Sequence, residues 1–537
     1  MFLFYNLIAM KDTLFIIFFS LFLSFAHNGQ SQHNYDYIWP LGYDYNPFDQ
    51  NNEVEGWVQN FILDFKNSEK SFHLDSFYLN FSGTHGSLAS RDGKELKYLS
   101  NGCQIRDGNG YLLINGDSIN FDTDGFWQDE CNIEGATNTY IFWNHGVMLP
   151  DLTNENKAAF FHVKRLRDKV WASEFRVSHI DSNRVTVKNK ILIEDTLFGG
   201  WLASVKTADT LGWWILMHES GENTIHKAKY LPTQDTIMMS KQSIGLPSED
   251  RYEITGEAFF SYDGTKYYTL DRGNHLQIYD FDRASGDLSN HRHIHFDVDS
   301  LYTVGMVLSP NQRFLYISAF FNIYQVDLMS QNIEESIQVV ARHSGNRTGL
   351  LGFLNYTLMQ LGPDCRIYIA ANGGSDRMHV INYPDREGTA CEVVEDAIIF
   401  PVDYDSPRGI QDSFIVLNDY TLPNFPNFRL DTDEPVCDYD IRTPLTNSEE
   451  VILDTGMRIL LWPNPVSEVL QIDIGNIQNF SGQFVLRNAL GQIQKQIDIH
   501  SDQRRYQLPV YDLQPGMYFY EISSAGQSVK SGRVVVK

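Results

Sequence analysis

The sequence predicts an all-β protein: a β-propeller of about seven blades followed by a small immunoglobulin-like β-sandwich. Three observations predict it. Helical periodicity is nearly absent, while short alternating runs rich in Val, Ile, Tyr, Phe and Trp recur between Asp-Gly, Asn-Gly and Pro-containing corners. Those runs repeat at about the length of one propeller blade. Near the C-terminus the text then changes into a compact set of short strands.

A chain of 537 residues exceeds what one core commonly serves, so at least two domains are expected. The hydrophobic share of 42% and aromatic share of 13% support globular folding and exclude a disordered or collagen-like polymer. A net charge of −26 repels phosphates and anionic lipid surfaces, which sets nucleic acid aside as a partner. The same charge keeps an exported protein soluble. At the N-terminus, Met10-Lys11 precedes the apolar run Leu14–Leu23, then Ser24-Phe25-Ala26 and a polar stretch. This is the layout of a secretory signal peptide, taken here as residues 1–31, with cleavage after Ala26 or Ser31. The apolar run is short for a membrane span.

The strand runs that define the repeat are clearest in the middle of the chain. Phe260–Leu270, Leu308–Ser318 and Leu361–Ala370 each show an apolar residue, a turn with Asp or Asn, and an aromatic-rich strand. The turn residues Asp263, Asn311 and Asp364 stand 48 and 53 residues apart. Fainter echoes lie at Ser90–Tyr98 and Thr207–Leu216, with a further strand set at Ala159–Val163 and Phe175–Ile180. One small antiparallel sheet cannot cover both its faces, whereas radial packing buries each on a neighbour. This WD-like plan assigns residues 32–430 to the propeller. Its last blade is expected to combine Ile415-Val416-Leu417 with Asn60–Phe65. A β-helix wants a shorter repeat, and a pair of sandwiches would not recur at this length. Acidic, turn-prone residues from Asp431 onward read as a linker over 431–455.

The terminal module, 456–537, has strand-like runs at Val469–Ile474, Gly482–Arg487, Ile493–Ile499, Tyr506–Pro509, Met517–Ser523 and Gly532–Val536. Glycine at Gly491 suits a hairpin, and Gln514-Pro515-Gly516 turns into an alternating aromatic strand. Pro463-Asn464-Pro465, Asn488–Gln492, Leu513–Tyr518 and the final Val534-Val535-Val536-Lys537, in that order, resemble the C-terminal sorting domain of type IX secretion cargo in Bacteroidetes. The resemblance implies export in two steps, by general secretion into the periplasm and then through an outer-membrane translocon and its sorting machinery. It also implies removal of the domain and release of the cargo or its attachment to the cell surface. Pro463, Asn464, Pro465, Gly491, Gly516, Tyr518 and Lys537 are the positions it carries over as recognition and folding residues. The upstream region also resembles, less sharply, the uncharacterised propellers joined to such domains, through Asn60–Phe65, Asn115–Asn120 and Leu422–Pro426.

Candidate chemistry is sparse. His291, His293 and His295 alternate along a strand, share a face, and are a zinc-type donor set; solvent-facing histidines of an outer strand need no metal. Asn120, Asp122 and Asp124 before Gly125 open like a calcium loop, yet the closing glutamate position holds Cys131. His218-Glu219 begins like a zinc-protease motif but lacks a histidine four residues on. No serine-elbow or phosphate-loop motif is present. The five cysteines allow disulfides after export, with Cys103–Cys131 and Cys365–Cys391 nearest in sequence and Cys437 left in the linker; spacing alone fixes no connectivity. No cofactor is expected, with calcium or zinc as the ions these residues can hold. The first functional reading is a secreted or cell-surface binding protein for an unknown glycan or protein, its site at the channel mouth. The second is a metal-assisted hydrolase or lactonase in the same channel, with no catalytic residue that sequence can name.

Overall fold

The computed structural model describes residues 33–42, 60–66, 72–75, 79–81, 83–123, 125–131, 145–166, 173–198, 200–247, 256–271, 273, 275–295, 304–344, 355–371, 375, 377–400, 402–403, 414–415, 422–442, 451–452, 458–462, 466, 469–475, 481–488, 490–500, 505–524 and 527–536. The signal peptide therefore lies outside the described residues, as do Val416 and Leu417. No helix among the described residues is long and apolar enough to cross a membrane.

Seven antiparallel sheets, five of four strands and two of three, and one two-stranded pair make up the upstream part among the described residues. Each of the seven sheets follows the chain as a meander. Their first strands are Ile38–Leu41, Gly86–Ala89, Gly146–Asp151, Ala203–Lys206, Gly256–Phe260, Gly305–Leu308 and Tyr356–Leu361. These first strands lie beside one another from the first sheet to the third and from the fourth to the seventh, which makes them the inner strands of a propeller. Their side chains are mostly buried, while last strands such as Thr236–Ser243 and Asp287–His295 are mostly exposed.

The recurring turn has a local cause. Ser261 Oγ donates to Asp263 Oδ1 (2.6 Å), which also accepts from Thr265 N (2.9 Å). Ser309 with Asn311 (2.7 Å), Ser90 with Asp92 (2.8 Å) and Thr207 with Asp209 (2.5 Å) repeat the device. A side chain two residues ahead of the Asp or Asn locks the turn, and glycine at Gly264 then takes φ +69°.

Closure differs from the sequence expectation. Asn60–Asp64 pairs with Ile38–Leu41 and Phe72–Asp75, while Phe414–Ile415 pairs with Val402–Asp403, so among the described residues the two segments do not share a sheet. Side chains join the first and seventh sheets instead. Phe61 packs on Phe400 with ring centroids 4.0 Å apart, and Trp39 meets Tyr368 edge-on at 5.3 Å. Arg429 completes the join with a fork onto Asp36, Nη1 to Oδ1 at 2.7 Å and Nη2 to Oδ2 at 3.0 Å.

The expected linker begins later than the sequence suggested. Residues 431–442 are fastened to the ring: Asp431 pairs with Arg283 (2.9 Å), and Glu434 accepts from His33 N (3.1 Å). Arg442 donates to the carbonyls of Asp364 (2.9 Å) and Cys365 (2.8 Å). Cys437 is disulfide-bonded to Cys365, not left over, and Cys391 is the buried free cysteine. Pairing by nearest neighbour fails because residues 72 apart in sequence meet at one turn of the seventh sheet. Cys103 and Cys131 are joined across the short helix Phe126–Cys131.

The terminal module is a sandwich of two four-stranded sheets. One runs Val451–Ile452, Arg458–Trp462, Val469–Gly475, Arg505–Pro509; the other runs Ile493–Ile499, Gly482–Arg487, Gly516–Ser524, Gln527–Val536. The first two strands were not read from the sequence. The core, from Leu461 through Val536, draws on this module alone.

Two outcomes follow. Arg429→Ala leaves Asp36 enclosed without its partner and lowers the urea stability of the ring by about 3–5 kcal/mol, while Arg429→Met with Asp36→Leu recovers most of the loss; a change under about 1 kcal/mol in the single variant contradicts the closure role. Thiol titration finds no reactive cysteine in the folded protein, one on unfolding without reductant and five after reduction. Burial pushes the Cys391 thiol up to about 11, which reinforces its silence in the native state.

Candidate functional site

Among the described residues, the chain itself occupies the axis where four inner strands meet. Inner strands of the fourth to seventh sheets contribute Ala203, Glu257, Phe259, Met306 and Gln360 to a cavity of about 50 Å³ whose remaining wall is Asn424-Phe425-Pro426-Asn427. Asn424 Nδ2 donates to Leu202 O (2.9 Å) and Asn427 Nδ2 to Tyr262 O (2.8 Å), so the segment is tied to two inner-strand regions. Phe425 packs between Trp39 and Phe428 at centroid distances of 6.2 and 5.9 Å. Ligand pockets commonly span about 300–1,000 Å³, so this cavity is too small for a sugar.

The sequence-predicted metal residues have other partners. His291, His293 and His295 lie on the outer strand Asp287–His295 but do not converge. His291 Nε2 meets Gln277 Oε1 (3.0 Å), while His293 Nε2 meets Nδ1 of His275 (2.8 Å) and His295 stacks on the same His275 ring (4.8 Å). His275 was missed because it belongs to the neighbouring strand, where register places it opposite His295. Burial, and then the adjacent His293, hold His291 below its ordinary value.

The calcium-like loop is likewise engaged. Asn120 Oδ1 bonds His162 Nδ1 (2.6 Å), and Asp122 accepts from Trp127 N (3.2 Å) at the start of the short helix. Lys164 Nζ stands 3.6 Å from Asp122, with both side chains almost wholly buried. Oxygens expected to face an ion thus face a histidine, a helix start and a lysine; Asp124 lies outside the described residues.

The terminal module presents a different kind of site. Gly491 takes φ +78° in the hairpin, where Asn488 Oδ1 accepts from Leu490 N and Gln492 N, both at 3.0 Å. A left-handed residue there is cheapest as glycine. Gly516 opens the strand Gly516–Ser524, and buried Tyr518 donates its hydroxyl to Gln514 O (2.7 Å), bracing the Pro-Gly turn. Across the exposed face Phe519 stands opposite Arg533 and Arg487, beside a shallow groove of about 440 Å³ lined by Phe519, Tyr520, Ser531, Gly532 and Arg533. Val466 N donates to Val535 O (2.8 Å), tying the start of the module to its last strand. Pro463, Asn464, Pro465 and Lys537 fall outside the described residues.

Residues 460–537 match the family described as "Secretion system C-terminal sorting domain". The terminal module is a type IX sorting domain. The match starts within Arg458–Trp462, a strand of the observed sandwich, so the sorting domain and the folded unit nearly coincide.

The chain is also similar in structure, at low identity, to known proteins. A protein from Bacteroides uniformis ATCC 8492 is 12% identical over 72% of this chain and 98% of its own, with a TM-score of 0.39. The periplasmic gluconolactonase of Pseudomonas aeruginosa is 10% identical over 93% and 99%, with a TM-score of 0.34. The Cps50 (Swd1) β-propeller domain of Myceliophteria thermophila is 10% identical over 59% and 87%, also at 0.34. No curated protein sequence matches the chain.

Upstream of the sorting domain, four buried histidines make the ring acid-sensitive. Burial holds His85 and His218 down to about 3 and His145 and His162 well below the ordinary value. Unfolded, each titrates near the ordinary imidazole value of 6.5. Below that pH the unfolded chain binds more protons, so stability falls as pH drops from 6.5 toward 3, by at most about 1.4 kcal/mol per unit per histidine. Relief of the −26 charge works against this loss, so a substitution isolates it. His85 stacks on Phe81 at 4.5 Å and neither ring nitrogen has a hydrogen bond among the described residues. We expect His85→Phe to flatten the fall in urea midpoint between pH 7 and pH 4.5; an unchanged slope contradicts this account.

Proposed function

We propose that this chain is an exported binding protein, delivered by its sorting domain to the cell surface or beyond, where the propeller engages a glycan or protein through loops on its faces. The observation that carries the reading is the separateness of the sorting domain, whose core contains residues 461–536 and none from the ring. Such a unit can be recognised while the ring stays folded. The filled axis favours the outer loops as the contact region. The loop after Ile105–Asp107 supplies apolar surface there, with Tyr111 74% exposed and Leu112 and Ile114 each 47% exposed. The rival reading, a metal-assisted hydrolase or lactonase working in the channel, finds only a small cavity where residues 424–427 meet the inner strands among the described residues.

Deletion of 456–537 retains every residue of the ring closure through Arg442. In the native host the truncated chain should accumulate in the periplasm as a protease-resistant ring, and 456–537 fused to a periplasmic reporter should carry the reporter outward. Surface delivery of the truncated protein, measured by fractionation and whole-cell labelling, would refute the sorting role.

A further inference from the structure

Glu219 and His226 sit on either side of the hairpin joining Trp213–His218 to Thr224–Leu231 in the fourth sheet. Asp195 ends the last strand of the third sheet, Arg184–Asp195. An isolated bridge between Leu197 and Glu219 holds these two ends together. Three donor atoms, one from each side chain, consequently lie within 4.8 Å of one another. His226 Nε2 is 2.8 Å from Glu219 Oε1 and 3.7 Å from Asp195 Oδ2.

His226 is 9% exposed, and its Nε2 is shielded from solvent without making a hydrogen bond of acceptable geometry. An ordinary ion pair would align an N–H with one oxygen. Here Nε2 stands within reach of two carboxylates, 2.8 and 3.7 Å away, with no aligned hydrogen bond to either. No lysine or arginine among the described residues pairs with either carboxylate; their charged contact is His226, and Asp195 Oδ1 also accepts from Thr196 N (2.8 Å).

We propose that Asp195, Glu219 and His226 bind one divalent transition-metal ion, with zinc the best fit. Zinc held at about 2.0–2.2 Å by nitrogen and oxygen donors in a tetrahedron sets them roughly 3.4 Å apart, and the two observed spacings from Nε2 straddle that value. One imidazole among three ligands disfavours calcium, which takes six to eight oxygens. The Asp195 side chain is 42% exposed, which leaves an approach for the ion and a coordination position for water. An ion there ties the third sheet to the fourth. The sequence hid the site because the histidine that completes Glu219 lies across a strand turn, not one helical turn away.

The test uses the untagged exported chain, stripped with chelator and titrated with zinc chloride by calorimetry, with metal content read by mass spectrometry. We expect one equivalent of zinc, retained in His275→Ala/His293→Ala, and at least a tenfold weaker affinity in Asp195→Asn and in Glu219→Gln. Zinc should raise the Tm of the parent protein but not of Glu219→Gln, a near-isosteric change whose metal-free Tm reports folding. No zinc uptake, uptake indifferent to positions 195 and 219, or uptake lost with His275 and His293 would each overturn the site.

Discussion

Ring closure is the constraint on which the upstream structure depends. Each propeller sheet carries two faces that only neighbours can cover, so an open row would leave two apolar faces in water. Among the described residues, this chain meets the need through side chains and not through a sheet shared between its ends. Aromatic packing of Phe61 on Phe400 and Trp39 on Tyr368 supplies the apolar contact. Such contact tolerates sliding, whereas the two-point fork of Arg429 on Asp36 admits one alignment. The same C-terminal stretch then plugs the axis at Asn424–Asn427 and is bolted down by Cys365–Cys437. Closure, axial filling and the disulfide are therefore successive uses of one segment.

What could be read in advance follows from how local each cause is. The turn formed by Ser261 and Asp263 depends on residues within a few positions, so its recurrence at Ser309 and Asn311 shows in the text and reveals the blade period. The sorting domain was legible for the same reason, through turns such as Asn488–Gln492. The plug was not. Leu422–Leu430 has neither strand nor helix period, and its partners Leu202 and Tyr262 are roughly 160 to 220 residues away. The Cys365–Cys437 pair and the partnership of His275 with His293 failed to show for the same reason, since register and long-range approach decide both. Asn120 and Asp122 had the composition of an ion loop, but composition does not reveal which neighbour reaches the oxygens first.

The sorting domain obeys a different logic from the ring. The ring draws its stability from contacts across hundreds of residues, while the sorting domain completes its core within 461–536. Its strands present apolar residues inward, yet leave Met517 and Phe519 each 47% exposed on the other face. A surface of that kind costs solubility and is commonly retained for contact with another molecule. Phe519 flanked by Arg487 and Arg533 combines an apolar centre with a charged margin, a composition suited to docking.

Export and architecture bear on each other. Disulfides persist in the oxidising compartments that export reaches, and Cys365–Cys437 fastens the stretch after the plug to a turn of the seventh sheet. Since that stretch ends at Arg442 and the sorting domain begins near 460, fastening the ring does not draw on the residues that direct export. Asn424, Phe425 and Asn427 occupy the axis among the described residues, and that placement is why the proposed contacts are put on the faces and sheet junctions. The surface loop bearing Tyr111 and the junction bearing Asp195, Glu219 and His226 are both in such places. On the proposed reading the ring is the support and its surface loops are the contact region, the division of labour that loops on a packed scaffold commonly follow.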